Sequence, residues 1–261
     1  MTLAVRRALG LVTVQDLGRP GRMHEAVPRG GALVPARLIA ANRAAGNPDD
    51  AAAIEVLGAL TIRADEPHVV ATDTAAARTL AAGEELVVAS EPRRVAYLAV
   101  RGGIAAPLVL GGRGALLCAG LGGLVRSGQP LASAGLAAVA MTRPPSEPPD
   151  APIRVVAGPD PGQFLPGALE RLLASTYRVS PSSNRVGTRL DGAALPRSGA
   201  PEVSRPMVIG AIEVPGDGTP IVLGPEHPTT GGYPIIAVVV RADLGRLFSI
   251  RLGGGVRFTL G

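Results

Sequence analysis

The hexapeptide Thr229-Thr230-Gly231-Gly232-Tyr233-Pro234 is a tight polar turn that empties into the apolar run Ile235 to Val240. A second unusual turn, Thr13-Val14-Gln15-Asp16-Leu17-Gly18-Arg19-Pro20-Gly21, lies near the other end of the chain. In both, small residues permit a sharp backbone path, and polar side chains fall where a strand edge meets solvent. Two adjacent glycines can turn successive backbone N–H groups toward one point, a concavity suited to an anion or a carbonyl. The same residues also make plain hairpin or bulge corners, and local chemistry leaves both readings open.

No self-contained catalytic group accompanies these turns. His24, His68 and His227 stand far apart, and no H-E-x-x-H, paired C-x-x-C or G-x-S-x-G pattern occurs. Cys118 lies in a glycine-rich stretch and reads as a buried small hydrophobe rather than a nucleophile. The glycines around it lack the strand–turn–helix frame of a dinucleotide site. Asp49-Asp50 follows Asn47-Pro48 and reads as the cap of a short helical turn, so no metal site is expected. All 26 basic residues are Arg, and Lys is absent. A Schiff-base lysine, a P-loop lysine and a biotinylated lysine are therefore excluded from this chain. A phosphate-gripping lysine or a biotin carrier must belong to another polypeptide.

The elements that position the two turns follow from composition. Gly 35 and Pro 25 approach a quarter of the 261 residues, yet 46% are hydrophobic, which favours many short strands joined by tight turns over disorder. Aromatic residues are 2% with no Trp, so the core must be built from Val, Leu, Ile and Ala. The net charge of +5 comes from scattered Arg without aromatic partners, which argues against nucleic acid. No apolar run is long enough to span a bilayer, no signal-peptide stretch opens the chain, and the single cysteine cannot form an internal disulfide, so a cytoplasmic location is expected. Residues 143–150 hold four prolines among polar residues and cannot carry a helix or a central strand. The expected organisation is a β-rich subdomain over 1–143, a linker at 144–150 and a second β-rich subdomain over 151–261. Expected strands are Leu11–Gln15, Ile54–Leu57, Val69–Thr72, Leu86–Ala89 and Val95–Val100 in the first half. In the second they are Ile153–Val156, Tyr177–Val179, Val208–Val214, Pro220–Leu223, Ile235–Val240 and Val256–Thr259. Helices are expected at Pro35 to about Ala45, ended by Gly46 and Asn47-Pro48, at Gly162–Ala174 and around Asp243–Phe248.

Taken together, the motifs are more specific than either turn alone. Gly10 to Gly21 resembles the N-terminal signature of the biotin-dependent carboxyltransferase, allophanate-hydrolase subunit 2 family. The resemblance continues through Ala41-Asn42, Gly46 to Ala52, Tyr97 to Ile104 and Val109-Leu110-Gly111. It resumes at Gly158-Pro159, Ser175-Thr176-Tyr177, Val179 to Gly187, Gly210 to Pro215 and Thr229 to Pro234. That family includes the C subunit of the prokaryotic ATP-dependent 5-oxoprolinase and the second half of the urea carboxylase carboxyltransferase domain. The resemblance implies a mainly β fold, two cyclophilin-like β-barrel subdomains with a few short helices.

The resemblance also implies partnership: companion subunits B and A, with ATP used in the complex and biotin only on a partner chain if the carboxylase reading holds. The implied reaction opens 5-oxoproline to glutamate. The alternatives are the second carboxyltransferase half of a biotin-dependent urea or amide carboxylase, and a non-catalytic regulator that antagonises a kinase-inhibitor partner. Carried over residue by residue, the resemblance implies a cleft rimmed by Gln15, Asp16 and His24 from the first half and by Asn184, Arg185, Glu213 and Thr229, Thr230, Gly231, Gly232 and Tyr233 from the second. Asp16 and Glu213 are the catalytic candidates, and Arg185 offers a planar fork to a substrate carboxylate. Structural roles compete: Asp16 paired with Arg19, Arg185 tying a hairpin corner, Tyr233 packed beneath Pro234. The chain departs from the family pattern at Gly30-Gly31-Ala32-Leu33-Val34, where a hydroxyl and a carboxylate are missing. It departs again at Glu213, where Gln is usual, and across 72–84, which looks shortened.

Overall fold

Strand β1 (Thr2–Gln15) runs antiparallel to β2 (Ala53–Ala64) along almost its whole length, from Leu3 opposite Ala64 to Gln15 opposite Ala53. Strands this long must bend to wrap a core, and the bend falls where Gly10 faces Gly58. A Cβ on Gly10 would stand 2.3 Å from the Leu57 carbonyl oxygen, and one on Gly58 2.2 Å from that of Leu9. Only glycine fits at either place. The other strands here are β3 (His68–Thr72), β4 (Arg78–Leu80), β5 (Glu85–Ala89), β6 (Ala96–Val100) and β7 (Pro130–Ala132). They follow the path β4-β3-β6-β2-β1-β7, with β5 attached to β2, and the path does not close among the described residues. At the bend β2 changes partner: Ile54–Val56 pair with β6, and Ala59–Arg63 with β5.

The computed structural model of the chain describes residues 2–142 and 151–261. The proline-rich stretch expected as the linker lies outside the described residues. The half-barrel belongs to a unit of residues 2–22 and 29–142, and residues 23–28 group with 151–261 in a second unit. β1 extends well upstream of the expected Leu11. Its register shifts between Val5 and Arg7, which puts Arg6 and Arg7 both on the exposed side and erases the alternation that marks a strand. The core of this unit is aliphatic, with Leu3, Val12, Ile54, Leu60, Ile62 and Leu98 all at 1% exposure or less.

Helix α1 (Pro35–Ala45) occupies the expected residues, with Pro in its first turn and Gly46 ending it at φ 76°. Two asparagines from the family-like motifs fasten it. The buried Asn42 side chain donates to the Ala51 carbonyl at 2.7 Å. The buried Asn47 side chain donates to the Val100 carbonyl at 2.8 Å and accepts from the Gly102 N–H at 2.8 Å. Asp49 forms a bidentate pair with Arg43, 2.7 Å at each oxygen. The loop 30–34 hangs on a buried carboxylate: Glu55 Oε2 accepts from the Leu33 N–H and from the Tyr97 hydroxyl, each at 2.7 Å, and that hydroxyl accepts from the Val34 N–H at 2.8 Å.

The second unit holds β8 (Ile153–Ala157), β9 (Thr176–Val179), β10 (Gly187–Asp191), β11 (Arg205–Pro206), β12 (Ala211–Glu213), β13 (Ile221–Leu223), β14 (Thr230–Gly231), β15 (Ile235–Val239) and β16 (Gly255–Leu260). Seven close into a barrel in the order β10-β13-β12-β15-β8-β16-β9, and β11 pairs with β14 as a separate ribbon. Among the described residues only β16 and β8 run parallel. β12 begins at Ala211, not at the expected Val208, because the Ala211 N–H turns back onto the Val208 carbonyl through Gly210. The expected helix Gly162–Ala174 is split into a 3-10 turn, Pro161–Gln163, and α2 (Ala168–Ala174), with Pro166-Gly167 breaking it. A third short helix, α3 (Leu244–Ser249), follows β15. Among the described residues no helix is long and apolar enough to cross a membrane.

Asp243, just before α3, accepts from the Arg154 backbone N–H at 2.8 Å and from its guanidinium at 3.0 and 2.9 Å, and pairs with Arg246 at 3.0 Å. Hydrogen bonds from Arg154 hold its carboxyl far below the usual carboxylate range. A depressed carboxyl adds stability above its unfolded pKa and loses it as pH falls through the folded one. Asp243→Asn is thus expected to cost about 1–2 kcal/mol at pH 7, after discounting for the half-exposed Arg154, with the cost shrinking below about pH 4. Urea denaturation of both proteins at pH 7 and pH 3 checks this.

Candidate functional site

The first corner is built where β1 ends. Gln15 and Thr13 are fully buried, and Gln15 Nε2 donates to Thr13 Oγ1 at 3.0 Å and to the Ala115 carbonyl at 3.1 Å. Gln15 Oε1 is buried with no hydrogen-bond partner among the described residues. Asp16 is 7% exposed, and both its oxygens are engaged by backbone: Oδ1 accepts from the Gly18 N–H at 2.8 Å and Oδ2 from the Arg113 N–H at 2.5 Å. Its carbonyl accepts from the Ala32 N–H at 2.8 Å, which ties the divergent loop 30–34 to this corner. Arg19 does not pair with Asp16. It donates instead from Nε to the Val109 carbonyl at 3.0 Å and from Nη2 to the Gly112 carbonyl at 3.2 Å. The segment Val109 to Gly112 is a tight two-residue turn with Leu110 at φ 53°, so Arg19 clasps a hairpin tip from beneath. Cys118, expected to be buried, is exposed in a 3-10 turn, Leu117–Ala119, because the glycines around it keep that loop at the surface.

The second corner forms within the barrel unit. Glu213 closes β12 and is 6% exposed, and burial alone raises its carboxyl above the ordinary glutamate value. Gly231 of the polar turn lies against it: a Cβ there would sit 3.1 Å from Glu213 Oε1 and 3.0 Å from Met207 Cε. Neither Gly231 nor Gly232 has positive φ, so the alternating backbone of an anion cradle is not formed. Thr230 and Gly231 instead form β14, extended against Pro206 and Arg205, and the Thr229 carbonyl accepts from the Met207 N–H at 3.0 Å. Glycine is needed here because a side chain would displace the carboxylate and the methionine. Tyr233 is 43% exposed, whereas Pro234 is buried.

Three further candidates from the sequence have partners of their own. Asn184 Oδ1 accepts from the N–H groups of Val186 and Gly187, at 2.9 and 3.1 Å, and so shapes the turn into β10. Arg185 is 2% exposed and pairs with Glu226, itself 4% exposed, at 2.7 Å. His24 lies in a 3-10 turn, Met23–Glu25, in the segment that groups with the second unit, with its side chain 74% exposed and 3.5 Å from Glu25. Sequence reasoning misses Glu226, the partner of Arg185, although a lone acid between Pro225 and His227 in an otherwise apolar stretch is a usable signal. It also misses Asp160, whose Oδ2 accepts from the Ile235 N–H at 2.8 Å while Oδ1 pairs with Arg205, fixing the exit of the polar turn. His227 is buried and lowered in pKa by that burial, its Nδ1 bonded to the Pro228 carbonyl at 2.7 Å. Among the described residues no group of three or more His, Cys, Asp or Glu is placed to hold a metal ion.

The chain as a whole is similar to known proteins. The family model of the carboxyltransferase domain, subdomain A and B, matches residues 25–260. A protein named as the C subunit of 5-oxoprolinase, from Escherichia coli (strain K12), is 32% identical over 281 residues, covering 98% of this chain and 90% of its own length. The urea amidolyase of Lachancea kluyveri is 28% identical over 94% of this chain, which spans only 16% of that protein. Among solved structures, that of TTHA0988 superposes with a TM-score of 0.87 at 28% identity and covers 99% of this chain. The chain spans about 55% of the TTHA0988 chain.

Proposed function

The chain belongs to the carboxyltransferase domain, subdomain A and B, family, and from that premise we propose that it is the C subunit of an ATP-dependent 5-oxoprolinase, acting in the cytoplasm with companion subunits B and A. The observation that carries this reading is the nearly end-to-end match to a protein named as the C subunit of 5-oxoprolinase, 98% of one chain against 90% of the other. A second reading, half of a biotin-dependent urea or amide carboxyltransferase, is favoured by the match to urea amidolyase.

The chemistry asks for an activated amide. A lactam carbonyl is a poor electrophile, and ATP supplies the phosphoryl group that makes its oxygen a leaving group. These 261 residues do not fit a phosphate site of the lysine type, since Lys is absent, and for the same reason none of them can carry biotin. What the chain contributes is a carboxyl group of raised proton affinity. Glu213, buried beside Gly231, is the group we assign as catalytic, accepting a proton from attacking water or holding the ring N–H of the lactam. Thr229, Thr230, Gly232 and Tyr233 line the turn that presents it. Asp16, with both oxygens held by backbone amides, acts as a positioning residue for the loop 30–34 and the 109–113 hairpin.

Reconstitution tests the reading. Mixed with the products of the adjacent genes, the chain should support phosphate release that depends on 5-oxoproline, and its omission should abolish that release. Release that depends instead on biotin and an amide would establish the carboxyltransferase reading. A tight complex without turnover on any substrate would establish a regulator that binds its companion and nothing more.

A further inference from the structure

Gly231 lies over the Glu213 carboxylate, and one buried acid ties together the strands that hold the two in place. In the β12–β15 ladder Glu213 faces Ile235, at a bulge where the register slips past Ile236. The Ile235 N–H donates there to Asp160 Oδ2 at 2.8 Å. In the separate β11–β14 ribbon Gly231 faces Arg205, and the Arg205 guanidinium pairs with Asp160 Oδ1. Asp160 thus holds the residue opposite Glu213 with one oxygen and the residue opposite Gly231 with the other. The circuit closes where a Cβ on Gly231 would meet Glu213 Oε1 at 3.1 Å.

The ribbon needs such a tie. β11 and β14 are two residues each, and a pair that short does not hold itself in water. The Met207 N–H adds one bond, to the Thr229 carbonyl at 3.0 Å. Asp160 is 7% exposed, so its pair with Arg205 is shielded from water and stronger than a surface ion pair. Its backbone is anchored two residues upstream, where the Gly158 N–H donates to the carbonyl of the bulged Ile236 at 2.8 Å. The charged groups bordering the ribbon are Asp160 with Arg205 and, beside Gly232, Glu202 with Arg197 at 2.8 Å. Burial, not these charges, raises the Glu213 carboxyl, so uncovering it should return it toward the ordinary glutamate value.

We propose that Asp160 and Arg205 are positioning residues whose ion pair clamps the β11–β14 ribbon over Glu213 and so keeps water from that carboxylate. The proposal rests on the catalytic reading of Glu213 for its consequence in turnover, whereas the clamp itself is measured on this chain alone. Carbon NMR of the full chain, labelled at the glutamate carboxyl carbons, follows the titration of Glu213, and Glu213→Gln identifies its signal. Arg205→Met should lower the Glu213 midpoint by at least about half a pH unit. Loss of a nearby positive charge without uncovering would move the midpoint up instead, so the sign decides. Asp160→Asn should lower it too. In both variants the Met207 N–H should exchange with solvent at least about tenfold faster, while the Val239 N–H, bonded to the Gly210 carbonyl inside the barrel unit, keeps its wild-type rate. A midpoint unchanged or raised in Arg205→Met, or equal acceleration of both amides, would overturn the clamp and leave the catalytic assignment of Glu213 standing. Full turnover by Glu213→Gln would do the reverse.

Discussion

Replacing Glu213 by Gln is expected to lower turnover of the reconstituted complex by about 10²–10⁴-fold, the range that a positioned acid–base group contributes. The same substitution is expected to stabilise the chain at alkaline pH. The Glu213 carboxyl is raised by burial, so its folded pKa exceeds its unfolded one. Such a group adds stability that is fully present below the unfolded pKa and is lost as pH rises through the folded value. The wild-type chain should therefore weaken relative to the Gln variant as pH rises above the ordinary glutamate range. Rate and stability move in opposite directions only if the carboxylate is retained for chemistry. Turnover assays beside urea denaturation at pH 5 and pH 8 read both, and unchanged turnover would falsify the catalytic assignment.

The second large effect concerns Arg185. Glu226→Ala removes the carboxylate from a pair in which both side chains are at least 96% buried, and should destabilise the chain by roughly 3–5 kcal/mol. Replacing both partners together, Arg185→Leu with Glu226→Leu, should recover much of that loss, because two apolar groups leave no charge behind. A substrate-binding Arg185 would behave otherwise. Glu226→Ala would then leave stability nearly intact and change KM for a carboxylate substrate. Chemical denaturation of the chain and KM of the complex separate the two roles, and the buried 2.7 Å pair favours the structural one.

Much of the fold is legible in the sequence because strand and turn signals are local. Pro35 and Gly46 bracket α1 as expected, since one pre-sets a helical φ and the other accepts the left-handed exit. Gly- and Pro-rich turns between short aliphatic runs announce a mainly β fold, and the strands do arrange as a closed barrel and a half-barrel. The start of β1 is not legible, because the register shift near Arg6 breaks the alternation on which a strand is recognised. Cys118 reads as buried and is not, since a small apolar residue flanked by glycines looks the same in a core and in a surface loop.

Of the candidate sites, the residue types can be read from the chain and their duties cannot. The absence of Lys by itself excludes a phosphate-gripping or biotinylated lysine within these 261 residues, because no fold can supply a missing functional group. The ordered motifs by themselves identify the family. Tertiary structure alone decides that Asp16 serves backbone amides and that Arg185 faces Glu226. It alone sets Glu213 against Gly231 and leaves Arg19 buried without a carboxylate. The reason is physical: whether a charged side chain binds a ligand or a neighbour depends on burial and on which acceptors lie within about 3 Å. Those distances are set by strands far apart in sequence.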